Sequence, residues 1–122
     1  MFYPFAFSRV CGSELAGLHA RRQELSAAGA RALAISCDSM HSLRAYAETL
    51  AGGTPLGFDL LSDFWPHGEI ASAFGVFDSS RGAPSRTSFL LDGQLVIRHV
   101  QQAELTEQRD LDEALAQLRS LS

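Results

Sequence analysis

A proline, a hydroxyl and a thiol stand in close register in Pro4-Phe5-Ala6-Phe7-Ser8-Arg9-Val10-Cys11. The aromatic, apolar run ahead of Cys11 predicts that this cysteine arrives where a helix begins. Unpaired backbone N–H groups and the positive dipole end at a helix start stabilise negative charge, and the thiolate is the nucleophilic form of cysteine. Ser8 can accept one hydrogen bond and donate another. Pro4 has no N–H and a fixed φ, so it supplies a rigid wall beside the sulfur. Cys11 is therefore the candidate nucleophile. The second cysteine, Cys37, ends an apolar run and reads as a small buried hydrophobe, with a redox partnership to Cys11 as the other option. Two cysteines make no disulfide framework.

The elements that must position these groups follow from pattern. Residues 2–7 read as a buried strand, and residues 12–28 as a helix with Leu15, Leu18 and Leu25 near one face and Gly29 as its stop. Residues 32–37 read as a second apolar strand. Asp38 or Ser39 then caps a helix over about 40–51, closed by Gly52-Gly53. The stretch 54–85 is irregular: a short strand at 58–61, a short helix at 69–74 closed by Gly75, and a polar loop over 78–85. Asp92-Gly93 between apolar runs 87–91 and 94–100 predicts a hairpin. A last helix starts at Thr106 or Asp110, where Asp110 and Glu113 fit a capping box and Leu111, Leu115 and Leu118 make a stripe. The order is β-α-β-α, an insertion, then β-β-α. Right-handed crossover makes the first two strands parallel and the hairpin makes the last two antiparallel. The expected architecture is an α/β, three-layer, thioredoxin-like fold: a mixed central sheet flanked by helices, its first strand central, as one domain over residues 1–122. In open α/β sheets chemistry gathers at the strand-to-helix end, where Cys11 stands.

Composition narrows the functional classes. The chain has 122 residues, is 46% hydrophobic and carries a formal charge of −4. That is enough for one packed domain. Dispersed basic residues on an acidic chain leave no electrostatic footprint for nucleic acid or an anionic membrane. No apolar run reaches membrane-span length, and the first seven residues do not form a secretion signal, so the expected location is the cytoplasm. Cys37-Asp38-Ser39-Met40-His41 holds soft ligands without a complete metal set, and His19, His67 and His99 show no paired metal spacing. His99 reads as a structural residue in a strand. Trp65-Pro66-His67 is a loop that can line a substrate entrance, form a dimer contact or pin itself to the core. No phosphate loop or dinucleotide fingerprint is present. Neither a cofactor nor a metal is expected.

Pro4-x-x-x-Ser8-x-x-Cys11-x-x-Glu14 resembles the peroxidatic signature of the peroxiredoxins, the AhpC/TSA family. Pro84-Ser85-Arg86-Thr87-Ser88-Phe89, followed by Asp92-Gly93, resembles the family's arginine site before a late strand. Leu61-Ser-Asp-Phe-Trp65-Pro-His67-Gly and Phe74-Gly-Val-Phe77 resemble the actinobacterial one-cysteine, AhpE-like subgroup. Family members carry several tens of residues before this point, so the resemblance implies a fold truncated at its N-terminus. Such a form is expected to be less stable and readier to associate than a longer relative. Monomeric protein with a cooperative unfolding transition counts against that.

The resemblance implies a thiol-dependent peroxidase acting on hydrogen peroxide or organic hydroperoxides. Cys11 attacks one peroxide oxygen, water or an alcohol leaves, and a sulfenic acid remains. Arg86 then favours the thiolate and supports charge on the leaving oxygen, Ser8 holds the peroxide, Pro4 shields the sulfur and Glu14 steadies Arg86. The closely spaced resolving cysteine of the family would fall at residue 16, which is alanine, and Cys37 needs a Cα within about 7 Å of Cys11 to serve. The expected cycle is therefore one-cysteine, with an external thiol as reductant: mycothiol with a mycoredoxin, or a thioredoxin-like protein. A homodimer is the implied assembly. Two alternatives remain. A glutaredoxin-like thiol-transfer module lacks Cys-x-x-Cys here and has Ser85-Arg86 where such folds place a cis-proline. A catalytically silent, chaperone-like interaction protein would consume no peroxide.

Overall fold

The opening segment is held from both sides. In the computed structural model, which describes residues 1–104 and 108–121, the Tyr3 N–H donates to the Ile35 carbonyl at 3.1 Å and the Ile35 N–H to the Met1 carbonyl at 2.8 Å. The Phe2 N–H donates to the Thr87 carbonyl at 2.8 Å. The elements run α1 (Arg9–Ala20), α2 (Arg22–Ala27), β1 (Leu33–Ser36), α3 (Met40–Ala51), β2 (Asp59–Ser62), α4 (Glu69–Ala73), β3 (Phe77–Asp78), β4 (Ala83–Pro84), β5 (Thr87–Leu91), β6 (Ile97–Gln102) and α5 (Leu111–Ser120). β1 pairs with β2 in parallel, Leu33 opposite Asp59. β5 pairs with β6 antiparallel, Thr87 opposite Gln102. Residues 1–3 join these two ladders, so the first segment is central as the sequence predicts.

That segment is shorter than the strand predicted over 2–7. Only Phe2 bridges β1, opposite Ile35. Pro4 has no N–H with which to extend the ladder. Phe7 then adopts φ +66°, and the chain turns into α1. A left-handed non-glycine residue costs about 1 kcal/mol or more. Packing of the Phe7 ring on Tyr46, with centroids 4.7 Å apart, offsets that cost.

The apolar pattern sorts neighbours to opposite faces, as the period-two pleat requires. Tyr3 and Ala34 join Leu15 and Leu18 of α1, Leu43 and Tyr46 of α3, and Leu115 of α5 in one core. Phe2 and Ile35 join Ala71 of α4 and Val76 in the other, with Phe89 packed against it. This gives the layered α/β arrangement predicted from element order.

Two stretches differ from expectation, and the start of the last helix is resolved between its two candidates. The helix predicted over 12–28 starts earlier and breaks at Arg21, giving α1 and α2. The polar loop over 78–85 contains the small antiparallel pair β3–β4. The start at Thr106 lies outside the described residues, whereas Asp110 caps α5 by accepting the Glu113 N–H at 3.0 Å. Between β2 and α4 the buried Asp63 carboxylate accepts the Ile70 and Ala71 N–H groups, both at 2.9 Å. Gly68 is required in that loop: at φ +73° an added Cβ would lie 2.3 Å from the Phe77 ring. No helix among the described residues is long and apolar enough to cross a membrane.

Candidate active site

The turn before α1 is tied to the end of β1. The Ala6 N–H donates to an Asp38 carboxylate oxygen at 2.8 Å, and the Ser36 hydroxyl donates to the same oxygen at 2.7 Å. The tied turn delivers Ser8 to the N-cap of α1 and Cys11 to its first turn. The first helical bond runs from the Gly12 N–H to the Ser8 carbonyl at 2.8 Å. The Cys11 amide therefore belongs to the set of helix-start N–H groups without an intrahelical acceptor. The cysteine sits inside the helix's first turn rather than just ahead of it. Cys11 is 3% exposed and packs with Tyr3, Leu15 and Tyr46. Burial, then the nearby Cys11, push the Tyr46 hydroxyl up to about 12.

Ser8 occupies the N-cap without using its side chain as a cap. Its Oγ is buried and has no hydrogen-bond partner among the described residues. Pro4, Ser8 and Cys11 border one small hollow of about 190 Å³. Phe5, Arg9, Val10 and Arg81 complete its wall. The structure thus brings together the three residues of the local motif.

Glu14 and Arg86 meet elsewhere, one turn further along α1. The Arg86 Nη2 lies 2.5 Å from Glu14 Oε1, and both side chains are buried. Arg86 Nη1 donates to the Glu104 carbonyl. Neither Glu14 nor Arg86 lines the hollow. A third member was not visible in the sequence: Arg109 donates through Nε to Glu14 Oε2 at 2.9 Å, through Nη2 to Oε1 at 3.1 Å, and through its own backbone N–H to Oε2 at 2.6 Å. Its Nη1 also reaches the Phe2 carbonyl at 2.7 Å and the Ser88 hydroxyl at 3.2 Å. One carboxylate is clamped between two guanidinium groups, and the clamp ties α1 to residue 2, β5 and the start of α5.

Burial is the largest influence on Glu14 and disfavours its charge. The Arg109 hydrogen bonds and charge, with Arg86, outweigh it and hold the carboxyl below its usual 4.5. A depressed carboxyl stabilises the fold above its unfolded pKa, and that contribution disappears as pH falls through the folded value. Thermal unfolding followed by circular dichroism is therefore expected to show Tm falling as pH is lowered below about 4.5. In Glu14→Gln the same acid slope is shallower.

Cys37 sits at the end of β1, buried and free. Burial, then the charges of Asp63 and Asp38, push its thiol up to about 11. That agrees with the reading of a small buried side chain. Among the described residues no group of three or more His, Cys, Asp or Glu is arranged to hold a metal. His99, in β6, has Nε2 3.5 Å from Glu113 Oε1.

Comparison with known proteins bears on the same residues. The AhpC/TSA family model matches residues 1–100, which includes Pro4, Ser8, Cys11, Glu14 and Arg86. The chain belongs to the AhpC/TSA family. Alkyl hydroperoxide reductase E of Mycobacterium tuberculosis is 38% identical over 121 residues, covering 97% of this chain and 76% of that protein. Peroxiredoxin 1 of Brugia malayi is 34% identical over 123 residues, covering 98% of this chain and 53% of that one. Among solved structures, AhpC of Enterococcus faecalis superposes with a TM-score of 0.86 at 28% identity, covering 98% of this chain and 70% of that chain. The fold is therefore the thioredoxin-like fold of the peroxiredoxins, and the resemblance read from the motifs holds over nearly the whole chain. The family supports thiol-dependent peroxidase chemistry over thiol transfer or a silent interaction role. A hydroperoxide substrate and a thiol reductant follow at the family level.

Proposed function

We propose that residues 1–122 form one peroxiredoxin domain in which Cys11 is the peroxidatic thiol. The observation that carries the assignment is the convergence of Pro4, Ser8 and Cys11 on one hollow at the uncapped start of α1. In this reading a peroxide enters the hollow and the Ser8 hydroxyl holds it beside the sulfur. The Cys11 thiolate displaces the distal alkoxide or hydroxide in line: Cys–S⁻ plus ROOH gives Cys–SO⁻ plus ROH. Pro4 excludes water from one side. Arg86, held by Glu14, is proposed to act outside the hollow as a fixed positive charge that favours the negative charge moving to the leaving oxygen. Arg109 is a positioning residue, because it holds Glu14 and does not line the hollow.

Turnover then proceeds by attack of an external thiol on oxidised Cys11, giving a mixed disulfide and water. Mycothiol with a mycoredoxin, or a thioredoxin-like protein, fits that role. The raised pKa of Cys37 supports a one-cysteine cycle. Replacing Cys37 with serine is expected to leave steady-state peroxide consumption within about twofold of the parent, since structural buried thiols are inert. A loss of turnover in that variant, with first-turnover oxidation retained, would make Cys37 the resolving cysteine.

The assembly proposed is a homodimer in the cytoplasm. Phe64 is 52% and Trp65 84% exposed on the loop between Asp63 and the α4 amides that it accepts from. Large exposed aromatics suit a protein interface. Sedimentation of Trp65→Ser is expected to show a shift toward monomer relative to the parent.

The decisive assay follows hydrogen peroxide loss in the presence of a thiol, with a sulfenic-acid trap and peptide mapping. Labelled Cys11 is the expected product. Peroxide loss without any label at Cys11, or no peroxide loss at all, defeats the assignment.

A further inference from the structure

The hollow at Cys11 carries charges that reduction of a neutral peroxide does not require. Every one of the ten basic residues of this chain is an arginine. Among the described residues Arg21, Arg31, Arg86, Arg98, Arg109 and Arg119 lie within ion-pair distance of a carboxylate. Arg9, Arg22, Arg44 and Arg81 are in none of those pairs, and of these four Arg9 and Arg81 line the Cys11 hollow. They come from distant parts of the fold. Arg9 opens α1, and Arg81 sits on the turn between β3 and β4. The carboxylate that senses Arg81 is Asp78, and that group is held chiefly by Ser80, whose hydroxyl donates at 2.6 Å and backbone N–H at 3.0 Å. A net acidic protein therefore places two exposed arginines, neither in any of those ion pairs, in the wall of the hollow that holds its reactive thiol. Phe5 and Val10 give the same hollow an apolar wall.

We propose that Arg9 and Arg81 form a carboxylate subsite at the mouth of the Cys11 hollow, selecting molecules that present a carboxylate on a short apolar body. Guanidinium groups match carboxylates in charge and planar geometry. The subsite rests on Cys11 being the reacting thiol. Two kinds of molecule could bring the carboxylate: a hydroperoxide in the oxidising half of the cycle, or a thiol R–SH in the reducing half. In the latter, Cys–SOH plus R–SH gives Cys–S–S–R plus water.

Alkylation separates the subsite from peroxidase activity. Iodoacetate and iodoacetamide deliver the same electrophilic carbon with and without a carboxylate, and mapping the Cys11 peptide gives each rate. The iodoacetate-to-iodoacetamide ratio in the parent is expected to exceed that of the Arg9→Gln/Arg81→Gln double variant by about tenfold at low salt, the size expected for two nearby solvated charges. Raising salt from about 20 mM to about 500 mM is expected to erase most of the parent's advantage. The salt series needs no variant and so stands even where the double variant fails to fold. A ratio unchanged by both salt and substitution overturns the subsite.

Two further arms identify the source. First-turnover oxidation by a carboxylate hydroperoxide is compared with its methyl ester, and reduction of oxidised Cys11 by mercaptoacetate with reduction by mercaptoethanol. Charge preference lost in the double variant in the first arm assigns the hydroperoxide, and in the second the reductant. Preference in neither arm overturns the proposal. If the parent oxidises no thiol with any hydroperoxide, the peroxidase reading fails while the alkylation ratio still reports on the two arginines.

Discussion

Cys11→Ser is expected to consume hydrogen peroxide at no more than the protein-free rate, a loss of at least about a thousandfold. At 1.36 kcal/mol per factor of ten that is about 4 kcal/mol of lost transition-state stabilisation. The cause is chemical rather than steric. Serine fills nearly the same volume in a site only 3% exposed, so the packing with Tyr3, Leu15 and Tyr46 survives. A hydroxyl held at the same helix start remains protonated, and no side chain lining the hollow is a general base able to remove that proton. Circular dichroism and Tm are expected to stay close to those of the parent. A competitive peroxide assay reads the loss, and a sulfenic-acid trap reads its site. A variant that retains even a tenth of the parent rate moves the reaction away from Cys11. Cys37 would then be the remaining thiol, despite its burial and its pKa pushed up to about 11.

How much of this centre was legible depended on sequence distance. Pro4, Ser8 and Cys11 lie within one turn and one helix start, so residue types and spacing sufficed to bring them to one hollow. Arg86 was found through resemblance alone, because an arginine before a strand has no local signature. Arg109 was missed. Its contacts with Glu14 span 95 positions, and a lone arginine ahead of an N-cap aspartate carries no periodic or turn signal. The backbone details were hidden for a different reason. Phe7 at φ +66° contradicts its residue type, and the turn's anchoring by Asp38 and the ring contact with Tyr46 stabilise it. The break at Arg21 likewise reflects tertiary contacts: that guanidinium bonds Glu24 and reaches across to Asp112 of α5. The layered fold was easier to read. Apolar alternation at Phe2-Tyr3 and Ala34-Ile35 feeds two cores, and those residues fix the sheet's place between helices.

The second large effect concerns the clamp rather than the sulfur. Glu14→Gln is expected to destabilise the protein by about 3–5 kcal/mol, the range for breaking a buried ion pair on one side. Two guanidinium groups, with side chains 1% and 3% exposed, are then left facing a neutral amide. In a chain of this size each kcal/mol moves Tm by about 3–6 °C, so a drop of 10 °C or more is expected. Removing an arginine tests the same clamp from the other side. In Arg109→Met, Glu14 keeps Arg86 but loses two side-chain hydrogen bonds, and the side-chain link from α1 to Phe2 and Ser88 goes with them. The backbone N–H of residue 109 still remains to bond Glu14, so the cost is expected to be smaller than for Glu14→Gln. The two substitutions share one network, and the double variant is expected to be less damaged than the sum of the singles. The peroxide rate constant of Glu14→Gln, measured at a temperature where it is folded, decides whether the clamp also serves chemistry. Arg86 freed from the Glu14 carboxylate no longer holds one position, and a fall of about tenfold or more is expected if that position matters. An unchanged rate in folded Glu14→Gln reduces the Glu14–Arg86–Arg109 cluster to a structural tie and leaves the helix start and Ser8 to do the activating.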